Sequence, residues 1–136
     1  MRRLVQRLIL GIGLLLAAGA AVTLAALEGR EVAVLSTIDA AGTRQETRVW
    51  VADDAGTAWV EAANTERPFL RALEQLPDVT LRRDGLARAC RATVVPNPDG
   101  HERIRRLLAA KYGWADCWIG LLTDTSQSVA VRLDCP

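Results

Sequence analysis

The stretch "RQETRVWV", residues 44–51, decides the fold class of this chain. Its β-branched and aromatic residues favour a strand, in which successive side chains point to opposite faces. Thr47, Val49 and Val51 then share an apolar face, whereas Arg48 and Trp50 share the other face. The stretch therefore predicts a sheet with one face in a hydrophobic core and one face that presents an arginine beside a tryptophan.

Five further strands accompany this one. Period-two patterns occupy residues 31–38, 58–63, 79–84, 86–95 and 128–133, and turn clusters separate them. The Asp84-Gly85 pair is a strong hairpin turn between two of these strands. Helical spacing appears twice, over residues 65–76 and from residue 99 onward. We expect a mainly β fold with two helices, in which a six-stranded antiparallel barrel has its openings covered by the helices.

The first thirty residues predict a different kind of segment. Arg2, Arg3 and Arg7 precede an uncharged apolar run from Leu8 to Leu27. About twenty residues at ~1.5 Å each cross a bilayer core of about 30 Å. This run is longer than the core of a signal peptide. We expect a single-pass anchor in the cell membrane over residues 1–30 and a domain over residues 31–136, with cleavage near residues 18–20 as the alternative.

Charge and cysteine content narrow the function classes. Seventeen Lys and Arg balance sixteen Asp and Glu, so net charge gives no support for nucleic-acid binding. His101 is the only histidine and the three cysteines lack ligand spacing, so we expect no metal site. A Cys90–Cys135 bridge is an option in an oxidising compartment. The paired acids Asp53 and Asp54 lie in a predicted turn, where capping explains them.

Aromatic residues concentrate in one segment. Half of the chain's six Trp, Tyr and Phe residues lie in "KYGWADCW", residues 111–118. One interpretation is that they close one end of the barrel as core residues. The other is that they form a stacking wall for a planar ligand.

Several segments together resemble a known family. The hairpin "STIDAAGTRQETRVWV" (36–51), the unit "AANTERPFLRALEQLPDVTL" (62–81), "KYGWAD" (111–116) and the closing "VAVRL" (129–133) are similar to the flavin-binding split-barrel superfamily. Within it they most resemble the deazaflavin-dependent nitroreductase and quinone-reductase group, which is related to the pyridoxamine-phosphate oxidases. The resemblance covers residues 31–134 and implies a six-stranded antiparallel split β-barrel that usually forms a homodimer.

The resemblance also implies site residues. The cofactor would be a deazaflavin coenzyme or FMN, with its phosphate held by the matching residues Arg48, Asn64, Thr65 and Arg67. A guanidinium and a helix N-terminus both favour an anion. Trp50 would line the ring site. One departure is the hairpin turn "STIDAAGT" (36–43), which lacks the basic residues that this group often carries there.

In the same resemblance, Tyr112 and Trp114 match the segment that faces the substrate, here a small-molecule electron acceptor. No catalytic side chain is implied, because hydride transfer depends on how the cofactor is positioned.

Two functions follow as hypotheses. The first is a membrane-anchored oxidoreductase that transfers a hydride from a reduced deazaflavin or flavin to a quinone or nitro-type acceptor. The second is a non-catalytic split barrel that binds a small planar ligand or a membrane protein partner. The location of the domain separates them. The arginines ahead of the apolar run favour a domain outside the cytoplasm, whereas these cofactors are cytosolic and favour a domain inside it. The hypotheses therefore depend on which membrane face carries residues 31–136.

Overall fold

A computed structural model describes all 136 residues. The first helix, α1, runs from Arg2 to Glu28 and ends at Gly29. It is long and apolar enough to cross a membrane, a property that an N-terminal signal sequence shares. Of its residues, only Ala26 is buried against the rest of the chain. The helix therefore extends away from the domain over most of its length.

Seven antiparallel strands form one sheet. They are β1 (Ala33–Ile38), β2 (Arg44–Val49), β3 (Val51–Asp54), β4 (Thr57–Ala62), β5 (Asp78–Arg83), β6 (Leu86–Val95) and β7 (Val129–Asp134). Their order across the sheet is β2-β1-β5-β6-β7-β4-β3. Strands β2 and β3 lie at opposite edges of the sheet although Trp50 alone separates them in sequence. The sheet must therefore curl into a half-barrel that brings its edges together at Trp50.

The predicted count of six strands is wrong, because residues 44–51 form two strands. Up to Val49 the chain pairs with β1, and from Val51 it pairs with β4, so it changes partner at Trp50. The segment 52–57, predicted as a turn, is mostly strand and turns only at Ala55 and Gly56, both with positive φ. Alternation of side chains predicted the strand character but not the change of partner.

Three helices follow α1: α2 (Pro68–Gln75), α3 (Asp99–Tyr112) and α4 (Trp114–Leu122). The prediction of two helices in the domain missed α4. Gly113 separates α3 from α4 with a φ of 55°, which glycine adopts without a steric cost. The aromatic segment after α3 is therefore itself a helix.

Two hydrophobic clusters lie on the two faces of the curled sheet. Inside the half-barrel, Leu35, Val60 and Leu133 pack with Phe69 and Leu73 of α2. On the other face, the larger side chains of α3 pack against the sheet together with Ala26 of α1. They are Ile104, Leu108 and Tyr112. This second cluster sets the position of α3 and α4 beside the end of β2.

A disulfide joins Cys90 to Cys135, whose Cα atoms are 4.2 Å apart. The register of β6 and β7 pairs Arg91 with Asp134, which brings the two neighbouring cysteines opposite each other. Cys117 is free and exposed on α4. The pairing that the sequence left open is thus present in the structure.

Candidate functional site

A groove of about 370 Å³ lies where β2 ends. The ends of α1, β2 and β4, the start of α2 and one side of α3 and α4 form its walls. Its apolar lining includes Leu27, Trp50, Phe69 and Ile119, and its charged lining includes three arginines and three acids. This size is within the usual range for small-molecule sites, which is about 300–1,000 Å³.

Trp50 is fixed by a stack. Its ring lies 4.3 Å from the ring of Tyr112, with 8° between the planes. The Tyr112 hydroxyl donates to the carbonyl of Glu31 at 2.8 Å and accepts from the amide of Val51 at 3.1 Å. Burial raises the pKa of Tyr112, so its hydroxyl stays protonated and able to donate. Tyr112 therefore holds Trp50 in place at the point where the sheet changes edges.

Arg105 of α3 forms the centre of an ion cluster in the groove wall. Its guanidinium lies 3.0 Å from Glu61 of β4 and 2.6 Å from Asp116 of α4. Burial opposes the charged form, but the hydrogen bonds that Arg105 donates to Glu61 and then to Asp116 outweigh it and raise the pKa of Arg105. The cluster joins α3 and α4 to the sheet and fixes this wall.

Arg48 lies on the predicted face of β2 and lines the groove. Its guanidinium is paired with Glu28, the last residue of α1, and both side chains are more than half exposed. Two other acids, on β2 and β4, are engaged elsewhere, since Glu46 pairs with Arg82 and Glu61 with Arg105. The contact with α1 was not foreseen, since nothing in the local pattern brings residue 28 to residue 48.

Arg67 lines the groove at the residue before α2. None of the ion pairs of the structure involves it. Asn64 and Thr65 lie just before it, exposed and outside the groove lining. The Asn64 side chain accepts a hydrogen bond from the Glu66 amide at 3.0 Å, which shapes the local turn. Of this predicted set, the structure brings Arg48, Trp50 and Arg67 together.

The two predicted substrate contacts lie apart from the groove lining. Tyr112 is 1% exposed and packs in the second hydrophobic cluster. Trp114 is 51% exposed at the start of α4, outside the groove. The interpretation of the aromatic segment as core fits Tyr112, whereas Trp114 faces outward. Contact of either residue with a substrate stays a prediction.

A second ion cluster lies under Tyr112. Arg83 of β5 lies 2.6 Å from Glu31 and 2.7 Å from Asp53 of β3, and Lys111 of α3 also pairs with Glu31. The hydrogen bonds from Arg83 hold the pKa of Glu31 and of Asp53 below their ordinary values. This cluster does not line the groove and ties the segment before β1 to β3, β5 and α3.

No group of three His, Cys, Asp or Glu side chains is placed to hold a metal ion. His101 lies outside the groove, with its Nδ1 2.9 Å from the hydroxyl of the fully buried Ser128. The contact between His101 and Ser128 holds the start of α3 beside the residue that precedes β7.

The sequence did not single out Glu28, Arg105 or Asp116. One signal was present: Arg105 is next to Ile104, at the edge of the stripe that α3 buries. A charged residue at such an edge often reaches a partner on a neighbouring element. Its partners belong to β4 and α4, and the second of these helices was not predicted.

No protein-family model and no curated protein sequence matches the chain. Solved structures do match its fold. An F420 reductase is 22% identical with a TM-score of 0.56, over 82% of this chain and 92% of that one. The heme storage protein HutZ from Vibrio cholerae is 17% identical with a TM-score of 0.61, over 82% and 85%. A FAD-binding protein from Mesorhizobium loti is 14% identical with a TM-score of 0.56, over 82% and 85%.

This chain therefore has the split-barrel fold of these flavin- and heme-binding proteins. The identities are low, so the likeness concerns the fold and leaves the ligand to be argued from the groove itself.

Proposed function

We propose that the groove binds a flavin-type cofactor, a deazaflavin coenzyme or FMN, and that the protein is an oxidoreductase anchored to the cell membrane by residues 8–27. The observation that carries the proposal is a groove lined by Trp50 and by the unpaired Arg67, bordered by the end of the apolar helix α1. The acceptor would be a quinone or nitro-type compound, within the deazaflavin-dependent nitroreductase and quinone-reductase group.

The groove suits a planar anion. Its volume of about 370 Å³ is sufficient for a small ligand, and Arg67 has a guanidinium that no protein carboxylate neutralises. Arginine binds phosphate through two parallel hydrogen bonds. Arg48 is the second candidate, because its pair with Glu28 is exposed and so contributes little. Asn64 and Thr65 would join them if the loop before α2 closes on the ligand.

The chemistry of the lining favours a flavin over a heme. HutZ is a heme storage protein with the same fold, and heme iron takes a His, Cys, Met or Tyr ligand. No residue of these four types lines the groove, and His101 is engaged with Ser128 elsewhere. The F420 reductase and the FAD-binding protein are therefore the more informative likenesses.

When bound, the reduced cofactor supplies a hydride. The residues of this chain provide binding and position: Arg67 and Arg48 hold the phosphate, and Trp50, fixed by its stack on Tyr112, lines the ring site. The Arg105 cluster keeps the wall formed by α3 and α4 in place. Tyr112 acts on the ring site through Trp50, and Trp114 would reach an acceptor only from outside the groove.

A non-catalytic module is the second candidate, and a specific observation favours it. The disulfide between Cys90 and Cys135 suits an oxidising compartment, where deazaflavins and flavins are not made. The arginines at the start of α1, ahead of its apolar run, favour that same side for the domain. In this version the groove binds a small planar ligand or a membrane partner without turnover, and Glu28 remains on Arg48.

Cofactor binding tests the proposal directly. The detergent-solubilised full chain is titrated with FMN and with reduced deazaflavin coenzyme, and absorbance and quenching of ligand fluorescence are followed. We expect Arg67→Ala to weaken binding about tenfold, which corresponds to ~1.4 kcal/mol for one lost charge-assisted contact. Arg91→Ala is the matched control, since Arg91 is exposed and pairs with Asp78 outside the groove.

If the unaltered chain binds neither cofactor, the oxidoreductase proposal is wrong and the non-catalytic binding module remains. Light scattering on the same sample tests the homodimer that the family resemblance implies. A reporter fused after Pro136 tests which membrane face carries the domain.

A further inference from the structure

Helix α4 turns an apolar stripe outward. Trp114, Cys117, Trp118 and Leu121 follow the spacing i, i+3, i+4, i+7, which places them on one helix face, here called the α4 stripe. Such a face is normally buried. In this structure Trp114 is 51% exposed and Leu121 is 77% exposed, and the adjacent Leu122 is 59% exposed. Of the stripe, Trp118 is partly covered, whereas Trp114 and Leu121 have no covering surface within the chain.

The stripe is also free of charge. The only charged residue of α4 is Asp116, which is 7% exposed and paired with Arg105 in the groove wall. The helix thus directs its one charge into the protein, while Trp114 points away from it and Trp118 packs at the edge of the second hydrophobic cluster. Apolar surfaces of this kind mark sites of protein or membrane contact.

The stripe adjoins α1. The indole of Trp118 donates a hydrogen bond to the hydroxyl of Thr23 at 3.0 Å, and Ala26 of α1 is completely buried. Thr23 lies four residues before Leu27, the end of the apolar run, which is about 6 Å along a helix. The contact between α1 and α4 therefore lies inside the segment that would cross the membrane.

The length of the apolar run in α1 determines how close the membrane surface comes to α4. The uncharged run from Leu8 to Leu27 spans about 30 Å, which only just equals the hydrocarbon core of a bilayer. A bilayer crossed by the whole run must reach the level of Leu27, which is ~6 Å beyond the point where Trp118 meets Thr23. The membrane surface and α4 therefore occupy the same level, and the uncharged stripe faces lipid there.

We propose that the α4 stripe lies in the interfacial region of the bilayer beside α1, as a second contact of the domain with the membrane. The inference rests on α1 being a membrane anchor, as in the proposed function. Tryptophan is enriched at this depth because its ring is apolar and its N–H is polar. Ile119 and Gly120 on the other side of α4 line the groove together with Leu27. The stripe thus sets the groove at the membrane surface, within reach of a lipid-soluble acceptor.

Cys117 provides the probe, since it lies on the stripe and is the one cysteine outside the disulfide. A nitroxide is attached to Cys117 in the full chain, which is then reconstituted into phosphatidylcholine vesicles. Its accessibility to oxygen, which concentrates in lipid, is compared with that to a water-soluble nickel chelate. We expect the ratio to favour oxygen. The matched control carries Cys117→Ala and the label at Ala87→Cys, an exposed site on the β5–β6 hairpin, and its ratio should favour nickel.

A measurement without a label accompanies it. Vesicles that contain lipids brominated near the headgroup quench tryptophans at that depth. We expect the quenched fraction of the chain's fluorescence to fall in Trp114→Phe and not in Trp59→Phe, because Trp59 is 4% exposed in the second hydrophobic cluster.

Three outcomes overturn the inference. In the first, the Cys117 label is more accessible to nickel than to oxygen, although the chain stays with the vesicles after a carbonate wash. The anchor is then supported and the second membrane contact is contradicted. A label shielded from both reagents, with dipolar broadening between labels, shows that a second copy covers the stripe. Loss of the chain from the vesicles contradicts both the membrane anchor and the contact of the stripe with lipid. Cofactor binding is measured separately in detergent, so this outcome does not decide it.

Discussion

Arg105 and Arg83 each bridge two carboxylates from different elements, but the two clusters differ in their charge balance. Arg105 alone faces Glu61 and Asp116. In the other cluster Lys111 joins Arg83, so two cations face Glu31 and Asp53. Burial differs as well: the Asp116 side chain is 9% exposed, and that of Asp53 is 52% exposed. The Arg105 cluster depends on a single cation, whereas the Arg83 cluster keeps a second cation, Lys111, if Arg83 is removed.

The difference separates the arginines that hold the fold from those free to bind a ligand. Arg105 and Arg83 each pair with two carboxylates. If either guanidinium turned to a ligand, its carboxylates would lose this partner. Arg67 has no acidic partner, and Arg48 has one exposed partner. An anion that enters the groove therefore meets Arg67 first, because binding there breaks no existing contact.

The largest effect that this comparison predicts is on stability. Arg105→Ala should lower the free energy of unfolding by about 3 kcal/mol, because it leaves two little-exposed carboxylates without a cation. Arg83→Ala should cost only about 1 kcal/mol, since Lys111 remains beside Glu31 and Asp53 is open to water. Urea unfolding of the solubilised chain, followed by near-ultraviolet circular dichroism, measures both.

Arg132→Ala is the control for this pair, because its ion pair with Asp134 is exposed and should change stability by less than about 0.5 kcal/mol. Equal losses for Arg105→Ala and Arg83→Ala would contradict the proposed difference. Replacing all three members of the buried cluster, as Arg105→Met with Glu61→Leu and Asp116→Leu, should recover most of the loss, since no charge is then stranded.

Acid sensitivity is the next effect. Arg83 lowers the pKa of Glu31 and of Asp53 in the folded chain, so their contribution is complete above the ordinary values of 4.5 and 3.8. It is lost as the pH falls through the lower folded values. The urea concentration at the midpoint of unfolding, measured between pH 7 and pH 3, should therefore decrease as the pH is lowered. The fall should be shallower in Arg83→Ala, and an unchanged slope would show that other carboxylates dominate.

Sequence patterns predicted most of the sheet because each strand carries its own alternation and its own turn. The hairpin at Asp84-Gly85 and the strand over residues 86–95 are where the sequence placed them. The change of partner at Trp50 was missed, since a strand that leaves one edge and joins the other has the same alternation as an unbroken strand. Helix α4 was missed although its apolar residues have helical spacing, because it has only nine residues and directly follows the break at Gly113.

The candidate site was predictable only where one strand or one turn carries the residue. Arg48 and Trp50 share a strand face, so alternation was enough to place them together. Glu28, Arg105 and Asp116 reach the groove from three separate helices, and their contacts depend on tertiary packing that no local pattern encodes. Tyr112 shows the same limit, since its position one residue before a glycine does not reveal that its hydroxyl meets Glu31 and Val51.

The smallest predicted effect on stability is also the sharpest test of the groove. Glu28→Gln should change the free energy of unfolding by less than about 0.5 kcal/mol, because both side chains of the Glu28–Arg48 pair are more than half exposed. It should nevertheless tighten FMN binding, because Arg48 no longer has a competing carboxylate for its guanidinium. Asp78→Asn, which removes the partner of Arg91 far from the groove, should change neither quantity. If FMN affinity stays the same in Glu28→Gln but falls in Arg67→Ala, the anion is held at the start of α2 alone. The end of α1 then serves only to close the groove, and the arginine of the "RQETRVWV" strand belongs to the contact between α1 and the barrel.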